Sequence, residues 1–313
     1  MTCFKPKRRI LHIILRLSVI VIAASALAKG TGAHVRSEML VTTDWLASQL
    51  NEENVVVLCI VEDEHFYSRG HIPQSRVVRL SQLVTTRGGV PNELRSVDQL
   101  QHVFEGVGIT NRSHIILYGE RSGILAARAY FTLDYVGLAD QAALLDGGME
   151  KWRSEGRPES TSSPHIAKSA LHIRLNSEIL VSMKQMAAYS HAQLRSSAPV
   201  LIDARPPDEY EGQRLSKNVS KAGHIPTAIN VYWRNTVMPG NIPSLRGPDE
   251  LRKLFAIPLD SSGPQVITYC RTGMQSSLDY FVAKYLGYAA RMYDGSFYEW
   301  SRSSHPIEKM PTH

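Results

Sequence analysis

Cysteine is scarce, with three in 313 residues. That excludes a disulfide-dense scaffold, and a chain of this length can bury a substantial core without such staples. Charged residues make up only 20% and hydrophobic ones 43%, which is too apolar for a disordered chain. His residues are scattered without metal-ligand spacing, so no metal is expected. There is no acid before Glu38, whereas Lys5, Lys7, Arg8, Arg9 and Arg16 all precede it. The apolar run from Leu17 to Ala28 has 12 residues, short of the roughly 20 that span a bilayer. Extending it back to Ile10 would bury Arg16.

What is present at the N-terminus is a basic stretch, a short apolar run and an Ala26-Leu27-Ala28 exit. Together these predict a secretory signal peptide over residues 1–28, with an uncleaved membrane anchor as the alternative. The mature protein is then expected in a periplasm or outside the cell. The formal charge of +6 shrinks accordingly. Removing the five N-terminal bases from 35 leaves 30 against 29 acids, which gives no ground for a nucleic-acid partner.

The chain also repeats itself. Gly70-His71-Ile72-Pro73 returns as Gly223-His224-Ile225-Pro226. Ile115–Tyr118 returns as Val266–Tyr269. The segment Leu145-Asp146-Gly147 through Trp152 returns as Tyr293-Asp294-Gly295 through Trp300. Three motifs in one order at nearly constant offset indicate duplication of a whole domain. A Ser-, Pro- and Gly-rich stretch from Glu155 marks the linker. The predicted division is 39–158, a linker over 159–178, and 179–305.

Within each half, short apolar runs alternate with helical patterns. Val55–Ile60, Ile115–Tyr118 and Ala142–Leu145 read as strands, as do Val200–Ile202, Val266–Tyr269 and Arg291–Tyr293. Val97–Phe104, Leu125–Tyr135 and Ser277–Leu286 read as helices. The fold class is α/β, with a mainly parallel sheet in each half, and ligands are expected at the carboxyl ends of its strands.

One strand-to-helix junction carries chemistry: Cys270-Arg271-Thr272-Gly273-Met274-Gln275-Ser276. The loop amides can curl around the sulfur as a nest, the following helix presents its positive end, and Arg271 adds a full charge. All three favour a thiolate, which is a nucleophile. Gly273 lets the loop close. A buried structural cysteine is the competing reading, but such a residue needs neither the arginine nor an anion loop.

This loop resembles the active-site loop of the rhodanese superfamily of thiosulfate and mercaptopyruvate sulfurtransferases. Asp203-Ala204-Arg205 through Tyr210, Gly223–Ala228 and Tyr293–Trp300 are similar to its other signature segments. The resemblance spans about residues 39–305, as in tandem-domain members. It implies that Cys270 takes a sulfane sulfur from a small anionic donor as a persulfide. Cyanide or a thiol then accepts that sulfur, with no cofactor and in a monomer. Arg271, Thr272, Gly273, Met274, Gln275 and Ser276 would bind substrate, Arg271 by attracting the donor's anionic group. Asp203 and Arg205 would brace the loop. Gly119 stands where the N-terminal half would carry its cysteine, so that half has no nucleophile. Cys59 lies in an apolar strand and is expected to be buried and inert rather than paired with Cys270. His71 and His224 are expected to fix loops, Asp146 and Asp294 to serve turns, and Trp152 and Trp300 to anchor cores.

The loop departs from both familiar patterns. Thr272 replaces the lysine of many thiosulfate-type loops, Arg271 and Gln275 replace residues of the mercaptopyruvate type, and Glu209 stands where some members place an arginine. Arg271 tilts the expectation toward thiosulfate. A cysteine phosphatase of related fold would need Arg six residues after the cysteine, to clamp phosphate bidentately, and Ser276 stands there. A non-catalytic sulfur carrier or binding module is the second alternative.

Overall fold

The computed structural model describes residues 1–2, 34–191, 198–257 and 265–310. Apart from its first two residues, the proposed export segment lies outside this set. No helix among the described residues is long and apolar enough to cross a membrane.

The strands in chain order are β1 (Leu40–Val41), β2 (Val55–Val61), β3 (Arg76–Arg79), β4 (Val84–Arg87), β5 (Val90–Leu94), β6 (His114–Gly119), β7 (Ala142–Leu145), β8 (Val200–Asp203), β9 (Ile229–Asn230), β10 (Gln265–Tyr269) and β11 (Ala289–Met292). One sheet has the order β1-β7-β6-β2-β3 and a second the order β11-β10-β8-β9. Every pairing in both is parallel. Helices cover the sheet faces, so the central strands are apolar throughout rather than alternating. In β2, Val-Val-Val-Leu-Cys-Ile-Val, all but the first residue are buried. β6 and β10 are the matching central strands of the two halves.

β4 and β5 form a separate antiparallel hairpin that the apolar-run reading passed over. Its buried apolar residues, Val84, Val90 and Leu94, are separated by polar ones and Pro91, so no hydrophobic run announces it. The edge strands β1, β3 and β9 escaped because two to four residues are too short for a pattern to show.

The helix Ile124–Tyr135 is buried on every side except at its last residue. One face packs on its own sheet. The other meets the helix Ser276–Tyr285 of the C-terminal half, with Tyr130 edge-on to Phe281 at 4.9 Å and Phe131 edge-on to Tyr280 at 5.0 Å. Tyr280 donates to Asp134 Oδ2 at 2.7 Å, and Lys284 pairs with the same carboxylate. The largest hydrophobic cluster therefore runs through both halves, while each sheet's far face has its own smaller cluster. Trp152 and Trp300 anchor those smaller clusters, each donating its indole N–H to a proline carbonyl, of Pro158 and Pro306.

The repeated histidines make matching contacts. His71 stacks on Tyr67 and bonds Tyr67 O at 3.0 Å; His224 stacks on Tyr210 and bonds Tyr210 O at 2.7 Å. Both pin a loop.

Candidate active site

Cys270 follows the carboxyl end of β10, where a parallel strand hands over to the helix Ser276–Tyr285. It is 1% exposed as a residue, yet it lines a cleft of about 370 Å³ together with Arg271, Thr272, Met274 and Gln275. The remaining lining comes from Trp233 and from the N-terminal half: Asn92, Arg121, Ser122 and Ile124.

The loop is held from several sides. Ser296 Oγ accepts from the amides of Cys270 (3.2 Å) and Gly273 (3.0 Å) and donates to Tyr293 O at 2.9 Å. The amides of Phe297 and Tyr298 donate to the carbonyls of Cys270 and Arg271. Two of the amides expected to face the sulfur are thus spent on Ser296. Those of Arg271, Thr272, Met274 and Gln275 have no acceptor among the described residues, which leaves them for a bound anion. Ser276 Oγ lies 3.5 Å from Cys270 Sγ and donates toward it. Gly273 has φ +78°, and a Cβ there would fall 2.4 Å from Asp294 Oδ1. Only glycine fits. Met274 is buried in the shared core, and Gln275 Oε1 is buried without a hydrogen-bond partner.

Several roles read from the sequence change. Arg271 does not reach freely into the cleft. Its guanidinium turns back on Glu209, with Nε at 2.9 Å from Oε2 and Nη2 at 2.9 Å from Oε1. Glu209 is fully buried and also takes Arg214 at 2.9 Å and Ser216. A buried carboxylate must be paired, and Arg271 and Arg214 share that role for Glu209. Asp203 and Arg205 form a buried ion pair. Arg205 also donates to Gly223 O at 2.7 Å and lies 3.9 Å over the Phe297 ring. They brace the Gly223-His224 segment, and their bonds to the cysteine loop are indirect. Asp294 is more than a turn residue. It accepts from Arg128 Nη1 (2.7 Å) and Nη2 (3.0 Å), and Arg128 also donates to Gly273 O at 3.3 Å. Arg128 comes from the N-terminal half and is fully buried. Sequence reasoning missed it, although an arginine inside the apolar pattern of Leu125–Tyr135 was a signal.

The halves brace each other reciprocally. Leu94 of the β4–β5 hairpin donates its amide to Asp294 Oδ2 at 3.3 Å, and Leu245 donates its amide to Asp146 Oδ1 at 3.0 Å. Asn92 of the same hairpin donates to Thr272 Oγ1 at 3.0 Å, so this arm reaches the cysteine loop itself.

The N-terminal counterpart of the site cannot hold a nucleophile. A Cβ on Gly119 would lie 2.2 Å from Ile60 O, and the space beside it is bounded by Val237, Pro243 and Leu245 of the other half. Cys59 and Cys270 are both free and buried. Burial pushes the Cys59 thiol up to about 12, which keeps it protonated and unreactive. No cluster of metal-ligating side chains is found among the described residues.

A family described as the rhodanese-like domain matches residues 42–155 and 186–303. The sulfur carrier protein TtuD of Thermus thermophilus is 30% identical over 275 residues, covering 85% of this chain and 95% of its own. A Mycobacterium leprae protein carried under the provisional name thiosulfate sulfurtransferase is 31% identical over 290 residues, covering 87% of this chain and 98% of its own. The crystal structure of an anaerobic ergothioneine biosynthesis enzyme from Chlorobium limicola shares the fold. It superposes with a TM-score of 0.74 at 22% identity, over 88% of this chain and 71% of the other.

Proposed function

This chain belongs to the rhodanese-like family of sulfurtransferases and sulfur carriers, and from that premise we propose that it moves a sulfane sulfur from thiosulfate through a persulfide on Cys270. The observation that carries the proposal is the cysteine at a strand end, lining a cleft inside a loop with four amides that have no acceptor among the described residues.

In the first step, the Cys270 thiolate attacks the outer sulfur of thiosulfate. A sulfur–sulfur bond forms to Cys270, the donor's sulfur–sulfur bond breaks, and sulfite leaves with the electron pair. In the second, cyanide or a thiolate attacks the terminal sulfur and Cys270 departs as thiolate. This is ping-pong covalent catalysis and needs no outside oxidant or reductant. The free loop amides meet the negative charge on the terminal sulfur, and the Ser276 hydroxyl supplies one more donor beside Sγ. Mercaptopyruvate is the alternative donor. The export signal read in residues 1–28 would place the reaction outside the cytoplasm.

The test is thiocyanate formation from thiosulfate and cyanide, run beside mercaptopyruvate. Cys270→Ser should abolish turnover, a fall of at least about 1,000-fold. Full activity in that variant would overturn the mechanism. Transfer to a partner protein with no turnover of small acceptors would favour the carrier reading, which the likeness to a sulfur carrier protein supports.

A further inference from the structure

An anionic donor needs a cation in the cleft, and the arginine beside the cysteine is occupied. Both bonding edges of Arg271 used here face Glu209, a carboxylate that is 0% exposed. The carboxylate end of that pair is closed to solvent although Arg271 itself is 34% exposed, so an incoming anion would have to draw the guanidinium off a buried carboxylate, leaving it to Arg214 and Ser216.

The opposite wall of the same cleft offers another cation. Arg121 and Ser122 line it from the N-terminal half. They belong to the segment that follows Gly119, as the Arg271 loop follows Cys270. Arg121 and Ser122 have φ of +61° and +54°, a left-handed conformation that side-chain-bearing residues enter at a cost. A loop with no nucleophile has no catalytic need for that strain, and its result here is two polar side chains at the rim of the other half's site.

Arg121 is 51% exposed, and its ion pair is with Glu62, itself 50% exposed, at 3.1 Å. Such a solvated pair is held weakly and yields readily to another anion. Ser122 Oγ accepts from Arg234 at 2.8 Å, which ties a second guanidinium to the residue next to Arg121. Glu62 and the nearby Glu120, which accepts from the Glu62 amide at 2.7 Å, are the acids that oppose an anion here.

We propose that the cysteine-less loop of the N-terminal half is the donor-anion subsite. Arg121 takes the charged end of the donor, Arg234 adds a second positive charge, and Arg271 stays with Glu209 as a positioning residue. The degenerate domain then supplies half of the binding site. The inference rests on the sulfurtransferase reading for its donor, so its test separates the two.

Thiosulfate is titrated into the full chain carrying Cys270→Ser, where binding is read without turnover, and donor KM is measured in the chain with Cys270 intact. Arg121→Ala should weaken thiosulfate binding and raise donor KM about 10-fold, with the KM for cyanide within about twofold. Arg121→Lys should recover part of the loss. Glu62→Gln should tighten binding, about twofold to threefold, because it removes the competing acid; a merely structural role for Arg121 predicts no such gain. Unchanged thiosulfate binding and donor KM in Arg121→Ala would overturn the subsite while leaving sulfur transfer intact. Thiosulfate binding that depends on Arg121 in a chain that transfers no sulfur would overturn the sulfurtransferase reading alone. A parent chain that binds no thiosulfate would overturn the subsite.

Discussion

Asp279 shows at the scale of one residue what burial does to a charge. It sits in the helix Ser276–Tyr285 with both carboxyl oxygens buried and without a hydrogen-bond partner. Burial, with a lesser contribution from the nearby Asp203, raises it well above the usual carboxylate range. The fold therefore keeps the proton while the unfolded chain releases it at about pH 4. Stability is fully present below that pH and is lost as pH rises above it, toward the raised folded value. Asp279→Asn removes this loss. Its melting temperature should exceed the parent's at pH 7 by about 2–4 °C per kcal/mol regained, and the gain should vanish near pH 4. A gain that persists undiminished at low pH would show that the carboxyl's ionisation is not the cause. The cysteine loop was legible at this same scale, because its residue types announce anion chemistry. The Arg271–Glu209 pair was not. Sixty-two positions separate the two residues, and only the fold makes them neighbours.

At the scale of elements, the helix Ile124–Tyr135 joins structure to chemistry. Its apolar pattern named it in the sequence, but a helix buried all round carries no stripe to say what lies on each side. Arg128 on this helix holds Asp294 and the Gly273 carbonyl of the other half. Replacing it with Met should cost about 3–5 kcal/mol, because Asp294 would keep a charge without its partner. Adding Asp294→Asn to Arg128→Met should restore part of that stability. A denaturant series on the single and double variants checks this, and strict additivity would refute the coupling. The β4–β5 hairpin is the other element that reaches the site, and it was the one missed. An arm whose apolar residues are separated by polar ones has no periodicity strong enough to read, and its position is fixed by its contacts with the other half, such as Leu94 with Asp294.

At the scale of the whole molecule, the repeat suggests two independent domains, and the packing argues for one folding unit. Both long central helices and residues of both sheets contribute to one cluster. Separating the halves would expose the faces of Tyr130, Phe131, Tyr280 and Phe281. The full chain should therefore melt in one transition with equal calorimetric and van't Hoff enthalpies. Two resolved transitions in calorimetry would show that the shared core does not couple the halves.

The sequence by itself determined the duplication, the α/β class and the central strands, and it named Cys270 as the candidate nucleophile. These rest on local patterns: apolar runs, turn residues and a loop of recognisable chemistry. It also set Gly119 at the position of the repeat that matches Cys270. Tertiary structure decided the rest. Arg271 is claimed by a buried carboxylate, Arg128 holds the loop from the other half, and the cysteine-less loop contributes a wall of the cleft. Each of these is a pairing between residues far apart in the chain. Such pairings are set by which charges the fold buries together, and no local pattern records that.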